Sequence, residues 1–412
     1  MSNLYLERYG WPDSYTSTNP SNDLELVVVI PIYNETDVVK TLESLASCST
    51  TPFSIEVFLV INQSEVDIEE TKAVNHHTEK QISKWISTQS KSKIDYHLIN
   101  VTLKPRHAGV GSARKIGMDE AVRRFELLNK PNAVIVNLDA DCVVDDNYFN
   151  EIFLHFSQNP DTPGASIYFE HPLKGELDRN IYEGISNYEL FLRYYRQGLL
   201  YSGFPYHYHT VGSSMAVRSI IYQKQGGMNR RKAGEDFYFL HKIMPIGRFT
   251  EINTTCVHPS PRSSNRVPFG TGKAINDWLV QEDKEYTTYH PSVFNELQNI
   301  FRIIPELYKE KQVDYSKLNT PLRSFLQTND FNLDRILKDS GSYSSFIQKF
   351  FEWFNGFRVL KFIHYCRDHY FPEIALISAA KILLETMGHQ VNEPSINELL
   401  EIYRKMDRGR TK

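Results

Sequence analysis

The chain has 412 residues, of which 41% are hydrophobic and 23% are charged, and its formal net charge is −4 at pH 7. This length and composition allow one large domain or two smaller ones, and the balanced charge excludes a general affinity for nucleic acid. No apolar run has membrane-spanning length and residues 1–20 do not resemble a secretory signal, so we expect a soluble, cytoplasmic protein. The cysteines are too scattered for a disulfide framework or a zinc knuckle: Cys48, Cys142, Cys256 and Cys366.

From residue 24 onward, apolar and largely β-branched runs alternate with helical patterns. The predicted strands are 24–30, 55–61, 94–101, 133–138, 164–170, 211–217 and 250–257. The predicted helices are 38–45, 68–87, 110–128, 145–156, 178–199 and 237–244. This alternation predicts a mostly parallel sheet covered by helices on both faces.

Two carboxylates follow the predicted strand 133–138 directly. Ligands of open α/β sheets bind beyond the carboxyl ends of the strands, where Asp139 and Asp141 are expected. Side chains alternate along an extended segment, so both carboxylates point the same way and can share a hard divalent cation. The alternative is a solvated turn or the N-cap of the next helix.

A second acidic signal, Glu235 and Asp236, opens the predicted helix 237–244 after Gly234. A helix amino terminus stabilises negative charge, so helix capping explains these two residues as well as a functional role does.

The chain changes character after the last predicted strand. Residues 259–273 are rich in Ser, Pro, Gly and positive charge, which indicates either a loop that closes over a ligand or a surface linker. The Gly270–Lys273 piece is not a phosphate-binding P-loop, because Val267 replaces the first glycine and Ala274 the Ser or Thr. Helical patterns then cover 293–307, 321–326, 333–337, 343–368, 374–387 and 396–406. The aromatic segment 343–368 fits a core helix or a helix on a membrane surface.

Four segments in this order resemble the family 2 glycosyltransferases of the GT-A fold. They are Val27–Glu35, Gly109–Arg114, Asp139-Ala140-Asp141 and Gly234-Glu235-Asp236. Within the second segment, the resemblance lies in Gly109, Gly111 and Ala113-Arg114. The resemblance covers about 24–258. It implies a Rossmann-like sheet flanked by helices, followed here by a helical C-terminal extension. Spanning helices and a Gln-x-x-Arg-Trp motif are not evident, which separates the chain from polysaccharide synthases and implies a non-processive enzyme.

The resemblance implies transfer of a sugar from a nucleotide-diphosphate sugar to an acceptor hydroxyl, as in a hexosyltransferase, with Mn²⁺ or Mg²⁺. In this interpretation Asp139 and Asp141 form a DXD motif, and Asp141, Asp139 and His258 hold the metal. Asp236 is the expected general base of an inverting displacement, and Glu235 orients it or contacts the acceptor. The acceptor is a saccharide, a lipid-linked molecule or a small molecule.

The donor is expected at the ends of the first strands. The expected donor-binding residues are Pro31, Tyr33, Glu35, Asn62, Arg114, Asp139, Arg262, Arg266 and Lys273. Many relatives carry an acidic pair where this chain has Asn62-Gln63-Ser64, so the base contact there differs. The expected segments are an N-terminal segment (1–23), a catalytic domain (24–260), a flexible loop or linker (261–290) and a helical region (291–412).

Other functions use similar residues. A nucleotidyltransferase also combines carboxylates, metal and nucleotide, and a catalytically degenerate sugar-nucleotide binding module retains the site without the reaction. A dinucleotide-dependent oxidoreductase fits less well, because Arg114 stands at the third glycine of its fingerprint. A lipid-linked acceptor is compatible with peripheral association at the inner face of the membrane through 343–368.

Overall fold

The structure is a computed structural model that describes residues 3–90, 92–264, 266 and 270–409. Val267, used above in the P-loop comparison, lies outside these residues. The chain forms two compact units, Met1–Ile185 with Thr210–Leu279 and Ser186–His209 with Val280–Lys412. We call them the first and the second unit and describe each by itself. Across the described ranges, no helix combines the length and the apolarity that a membrane crossing needs.

An eight-stranded sheet forms the centre of the first unit, counted over the described residues. Its strands are β1 (Leu24–Ile32), β2 (Ser54–Ser64), β3 (Ile94–Leu103), β4 (Val134–Asn137), β5 (Cys142–Val144), β6 (Gly164–Phe169), β7 (Met215–Arg218) and β8 (Thr250–Pro259). Their order is β3-β2-β1-β4-β7-β6-β8-β5. β7 is antiparallel to β4 and to β6, and β5 is antiparallel to β8, while the other neighbours are parallel. The predicted mostly parallel sheet with flanking helices is confirmed.

The helices of the first unit are α1 (Leu4–Arg8), α2 (Val38–Ala46), α3 (Glu69–Thr88), α4 (Val110–Leu127), α5 (Tyr148–Gln158), α6 (Arg179–Ser202), α7 (Ser219–Lys224), α8 (Glu235–Ile243) and α9 (Thr271–Val280), and a 3₁₀ turn covers Met244–Ile246. Most of them connect the strands, while α1 precedes the sheet and α9 follows it. The longer, C-terminal part of α6, from Ser186 onward, belongs to the second unit.

β1 lies in the middle of the parallel half of the sheet and is buried on both faces. Val27, Val28, Val29 and Ile30 are all 0% exposed, as expected for an apolar strand without alternation. α4 lies against this strand at Gly117, where a Cβ atom would contact the side chains of Val29 and Val60. The glycine therefore lets the helix approach the sheet closely.

The topology brings several chain segments to one edge of the sheet. β1, β2 and β4 are parallel, so the residues that follow them meet at their carboxyl ends. The start of β7 pairs with the end of β4, through Met215 and Asn137, so the segment that precedes β7 lies there too. β8 ends at the same edge, because Pro259 pairs with Cys142 directly after Asp141.

Three elements of the first unit differ from the prediction. β7 begins at Met215 rather than at 211, and β5 forms as a short edge strand beside β8. The segment 261–290, predicted as a flexible loop, contains α9, because the spacing of Ile275 and Trp278 buries both on one side of a helix.

The second unit is helical apart from a two-residue antiparallel pair, β9 (Thr287–Thr288) with β10 (Ile374–Ala375). Its helices are α10 (Ser292–Arg302), α11 (Ile304–Glu310), α12 (Thr320–Thr328), α13 (Leu333–Lys338), α14 (Tyr343–Trp353), α15 (Gly356–His369), α16 (Leu376–Thr386) and α17 (Ile396–Asp407), with a 3₁₀ turn at Tyr315–Lys317. The helical C-terminal extension is confirmed.

Two helices predicted as continuous are each broken in two. The prediction of one helix over 343–368 is wrong, because Asn355 ends the pattern: its side chain accepts a hydrogen bond from the Arg358 amide and caps α15. Pro305 stands near the start of α11 and separates it from α10. Many aromatic side chains of α14 and α15 lie in the interior of this unit, including Phe346, Phe350 and Phe362, which favours the core interpretation.

A buried ionic cluster joins the second half of α6 to α17. The Asp407 carboxylate accepts hydrogen bonds from Arg193 at 2.6 Å, from Arg196 at 3.1 Å and from Gln197 at 2.6 Å. His209 Nε2 lies 3.1 Å from the same carboxylate. Burial alone would raise the pKa of Asp407, but His209 and the two guanidiniums hold it well below its usual range. Arg193 Nη2 also lies 2.8 Å from Glu189 Oε1 on α6, so Asp407 shares the charge balance of the cluster with a second buried carboxylate.

We predict that Asp407→Ala lowers the free energy of unfolding of the second unit by about 3–5 kcal/mol, because the buried guanidiniums of Arg193 and Arg196 lose the charge and the hydrogen bonds of this carboxylate. Urea unfolding followed by circular dichroism measures the change. Glu401→Ala, an exposed position on the same helix, should change the free energy by less than about 0.5 kcal/mol. Equal effects of the two substitutions would contradict the role of Asp407.

Candidate active site

The start of α4 lies directly against the segment that precedes α8. The Gly111 amide donates a hydrogen bond to the Arg231 carbonyl at 3.1 Å. A Cβ atom at Gly109 would lie 2.9 Å from the Lys232 Cα, and one at Gly111 would lie 2.7 Å from the Asn229 carbonyl oxygen. The two glycines therefore allow the backbone of α4 to lie close to the backbone of residues 229–232. This contact brings the Gly109–Arg114 segment close to the Gly234-Glu235-Asp236 segment.

Arg114 lies on α4 and connects three segments of the site. Its Nη2 donates to Asp139 Oδ1 at 2.7 Å, its Nε to Glu235 Oε1 at 2.9 Å and its Nη1 to the Gly212 carbonyl at 3.0 Å. The side chain is 3% exposed. Burial opposes the charge of Arg114, but the carboxylates of Asp139 and Glu235 outweigh burial and raise the pKa of the guanidinium. Arg114 therefore stays charged and fixes the acidic segments relative to each other.

A second group of opposite charges surrounds Asp141. Arg266 Nη1 lies 2.8 Å from Glu35 Oε2, and its Nη2 lies 3.3 Å from Asp141 Oδ2. Arg262 Nη2 pairs with the same Glu35 oxygen and lies 3.4 Å from Asp141 Oδ2. Burial opposes ionisation of Glu35, yet Arg262 above all holds the pKa of this carboxyl below its usual range. Burial and the neighbouring Asp139 raise the pKa of Asp141.

The ionic groups of the site do not balance. Its carboxylates are Glu35, Asp37, Asp139, Asp141, Glu235 and Asp236, and its guanidiniums are those of Arg114, Arg262 and Arg266. When all are ionised, the negative charges exceed the positive ones by three. Such a site favours cationic ligands, and its two outer arginines can contact anionic groups.

Asp236 occupies the first turn of α8 beside Glu235. Its Oδ1 accepts a hydrogen bond from the Phe237 amide at 2.7 Å. Burial, together with the adjacent Glu235 carboxylate, raises the pKa of Asp236 to about 7. A Cβ atom at Gly212 would lie 3.0 Å from Asp236 Oδ2, so the glycine gives this carboxylate its space. A carboxyl group with such a pKa can accept a proton near neutral pH.

The residues expected to contact the nucleotide base lie at the ends of β1 and β2. Pro31 belongs to β1, and the Tyr33 hydroxyl after it donates to Asp67 at 3.2 Å. Asn62 lies in β2 and is 2% exposed, and its Oδ1 has no hydrogen-bond partner among the residues that the structure describes. A buried amide oxygen without a partner is costly, so a ligand N–H group would be favourable here.

Two of the expected site residues contact side chains outside the carboxylate cluster. Lys273 is on α9 and pairs with Asp277 one turn along the same helix. His258 Nε2 lies 2.9 Å from Asp145 Oδ1, and its Nδ1 lies 3.9 Å from Cys256 Sγ. The structure therefore groups His258 with residues outside the expected Asp139 and Asp141 set.

Sequence reasoning missed Gly212, whose carbonyl holds Arg114 and whose missing side chain leaves room for Arg114 and Asp236. The prediction of a strand over 211–217 obscured this role, although a glycine followed by two serines is also typical of an irregular segment. Asp37 was missed as well, and it lies 3.7 Å from Arg262 Nη1.

Comparison with known proteins identifies the domain that carries the first part of this site. The model of the Glycosyl transferase family 2 matches residues 27–223. No curated protein matches the chain in sequence. Among solved structures, the chain is similar to S. aureus TarS 1-349 in complex with UDP-GlcNAc, with 12% identity, a TM-score of 0.39 and coverage of 93% of this chain and 92% of that one. Full TarS from S. aureus shows 11% identity and a TM-score of 0.39, covering 83% of this chain and 55% of that one.

Structural likeness at this level says nothing about ligands. The family match supports the resemblance directly, because residues 27–223 include most of β1, the Gly109–Arg114 segment and Asp139 with Asp141. The resemblance noted in the sequence is confirmed over residues 27–223, which form a glycosyltransferase domain of family 2 with the GT-A fold.

Proposed function

We propose that the protein transfers a sugar from a nucleotide-diphosphate sugar to an acceptor hydroxyl, with a divalent metal and with inversion at the anomeric carbon. Asp236 is the general base, and Asp139 and Asp141 face the metal and the diphosphate. The proposal rests above all on Arg262 and Arg266, which contact the Asp141 and Glu35 carboxylates from a segment beyond β8.

The carboxylate set fits a hard cation. Carboxylate oxygens are the preferred ligands of Mn²⁺ and Mg²⁺, and the carboxylates of the site outnumber its guanidiniums. Asp141 is the best candidate for direct coordination, with Asp139 at its side. Sequence analysis had added His258 to this set, but the contacts of His258 with Asp145 and Cys256 favour a different role.

The two outer arginines support a diphosphate site. Each lies against carboxylates whose charge a divalent cation would neutralise. Once that charge is neutralised, a guanidinium gains more from the oxygens of a diphosphate than from Asp141. We therefore propose that Arg262 and Arg266 move from the carboxylates to the diphosphate when the donor binds. Their movement would cover the donor and exclude water from it.

The reaction is a single displacement. The acceptor oxygen bonds to the anomeric carbon while the bond from that carbon to the diphosphate oxygen breaks, and the electron pair leaves with the diphosphate. Asp236 takes the proton of the acceptor hydroxyl, and Arg262 and Arg266 stabilise the leaving diphosphate. The divalent metal, when bound, stabilises the same charge. Glu235 is held by Arg114 and keeps Asp236 in position.

The nucleotide base is proposed to lie near Tyr33 and Asn62, with Pro31 shaping the turn. Tyr33 offers an aromatic face, and the buried Asn62 Oδ1 offers an acceptor for a base N–H group. Glu35 is occupied by the two arginines, so its proposed part in donor binding is to position them.

The proposal is tested by thermal shift with UDP, GDP, CDP and dTDP and their sugar conjugates, each with Mn²⁺ and with EDTA. We predict a metal-dependent rise in the melting temperature for one nucleotide, because only the folded site binds it. Asp141→Ala should abolish the rise, whereas Glu126→Ala, an exposed position on α4, should retain it. A rise that survives in Asp141→Ala would contradict the assigned metal site. Pyrophosphate release from a nucleoside triphosphate would instead indicate nucleotidyl transfer.

For the general base, we predict that Asp236→Asn lowers kcat by about 10²–10⁴-fold and leaves donor affinity unchanged, since only proton transfer is lost. In the unmodified enzyme, kcat/KM should rise as pH increases through about 7, because only the ionised carboxylate accepts a proton. Initial rates across a pH series measure both effects. A flat profile, or full activity of the variant, would exclude Asp236 as the base.

For the outer arginines, we predict that Arg266→Gln raises the KM for the donor at least about tenfold, because a charge-assisted contact with the diphosphate contributes about 1.5–3 kcal/mol. Arg179→Gln is the matched control, since Arg179 is 91% exposed and pairs with Glu183 on its own helix. Steady-state kinetics with varied donor measures the change, and equal KM values for the two variants would remove Arg266 from the donor site.

A further inference from the structure

The carboxyl ends of β6 and β8 carry a second group of metal-binding side chains. Cys256 and His258 lie two residues apart on β8, so they point to the same face of the sheet. Glu170 directly follows β6, and its amide bonds to the Val257 carbonyl at 3.0 Å. One ligand atom of each of Glu170, Cys256 and His258 lies within 4.8 Å of the others.

His258 is oriented for coordination through one particular nitrogen. Its Nε2 lies 2.9 Å from Asp145 Oδ1, and a carboxylate accepts hydrogen bonds only, so this contact favours the tautomer with the proton on Nε2. A neutral imidazole that carries its proton on Nε2 has its lone pair on Nδ1. This Nδ1 lies 3.9 Å from Cys256 Sγ, close to the separation of two ligand atoms around one tetrahedral ion. A carboxylate behind a histidine in this way is the usual outer support of a metal-bound imidazole.

We propose that Cys256 Sγ, His258 Nδ1 and the Glu170 carboxylate bind one Zn²⁺ ion, with Asp145 fixing the histidine. The thiol proton of Cys256 goes to solvent on binding, so that the thiolate coordinates the ion. Three protein ligands leave a fourth position for water. Cys256 is fully buried, and the His258 side chain is 25% exposed, so an ion approaches from the histidine side.

This site differs in chemistry from the one at Asp139 and Asp141. A thiolate with an imidazole selects zinc over magnesium or manganese, whereas carboxylates alone prefer the harder ions. The proposal moves His258 from the donor-site metal to the zinc ion. It does not depend on the proposed transfer reaction. Its structural consequence is that the ion ties the end of β6 to β8 and, through Asp145, to the edge strand β5.

Cobalt substitution tests the site on the whole 412-residue chain without any activity assay. Co²⁺ added to metal-free, reduced protein should give a thiolate-to-cobalt charge-transfer band in the near ultraviolet, which Zn²⁺ removes at one equivalent. Cys256→Ser should abolish the band. Cys366→Ser is the matched control, because this cysteine is equally buried and belongs to the second unit, and its variant should keep the band.

Two further variants distinguish a built site from adventitious binding. Asp145→Asn should weaken zinc affinity by about 10–100-fold, the usual effect of losing the support behind a metal-bound histidine. Asp141→Ala should leave the band and the zinc affinity unchanged, even though it removes the proposed donor-site metal. Circular dichroism of each variant confirms that it is folded.

Three results would overturn the proposal. The first is a band that persists in folded Cys256→Ser, and the second is a band lost in Asp141→Ala, which would return His258 to the donor-site metal. The third is the absence of any charge-transfer band at excess Co²⁺ in the unmodified protein. Failure of the zinc site would leave the nucleotide thermal-shift result untouched, so the two proposals fail separately.

Discussion

The site of this enzyme depends on one buried guanidinium. Arg114 reaches from α4 to Asp139 after β4, to Glu235 at the start of α8 and to the Gly212 carbonyl before β7. A buried charge is tolerated only when it is paired and hydrogen-bonded, so the three segments must be in place together. The same interaction gives the acidic groups fixed positions before any ligand arrives. Preorganised groups of this kind do not have to reorganise during the reaction.

The three guanidiniums of the site, those of Arg114, Arg262 and Arg266, differ in their surroundings. Arg114 is enclosed and is held by groups that stay in the site, whereas the side chains of Arg262 and Arg266 are 25% exposed and contact Asp141 and Glu35 from a segment beyond β8. The enclosed arginine is suited to a permanent structural contact. The exposed pair is suited to an exchange of partners, in which the carboxylates take a divalent cation and the arginines take the diphosphate.

The sequence predicts most of the backbone and only part of the site. Apolar runs, and the turn residues that bound them, indicate where β1, β2, β6 and β8 begin. This works because the burial of a strand depends on the apolar residues that follow one another within it. Asp139, Asp141, Glu235 and Asp236 are found by the same local logic, since each follows a strand or opens a helix. The family match covers the first two, and the roles of all four stay predictions.

What local pattern cannot supply is pairing between distant segments. Arg262 and Glu35 are 227 residues apart, and nothing near either one indicates the other. The same limit applies to His258, whose contact with Asp145, 113 residues away, is not indicated by either residue's neighbours. The boundary between α14 and α15 was also missed. It depends on one capping residue, Asn355, within a long apolar pattern that predicts a continuous helix.

The most direct test of this account is diffraction from crystals soaked with Mn²⁺ and the nucleoside diphosphate that raises the melting temperature, recorded at the manganese absorption edge. The account predicts an anomalous peak at the carboxylate of Asp141, with the guanidiniums of Arg262 and Arg266 on the diphosphate and Arg114 still on Asp139 and Glu235. A peak distant from Asp141, or arginines that remain on Asp141 and Glu35 beside a bound diphosphate, would contradict it.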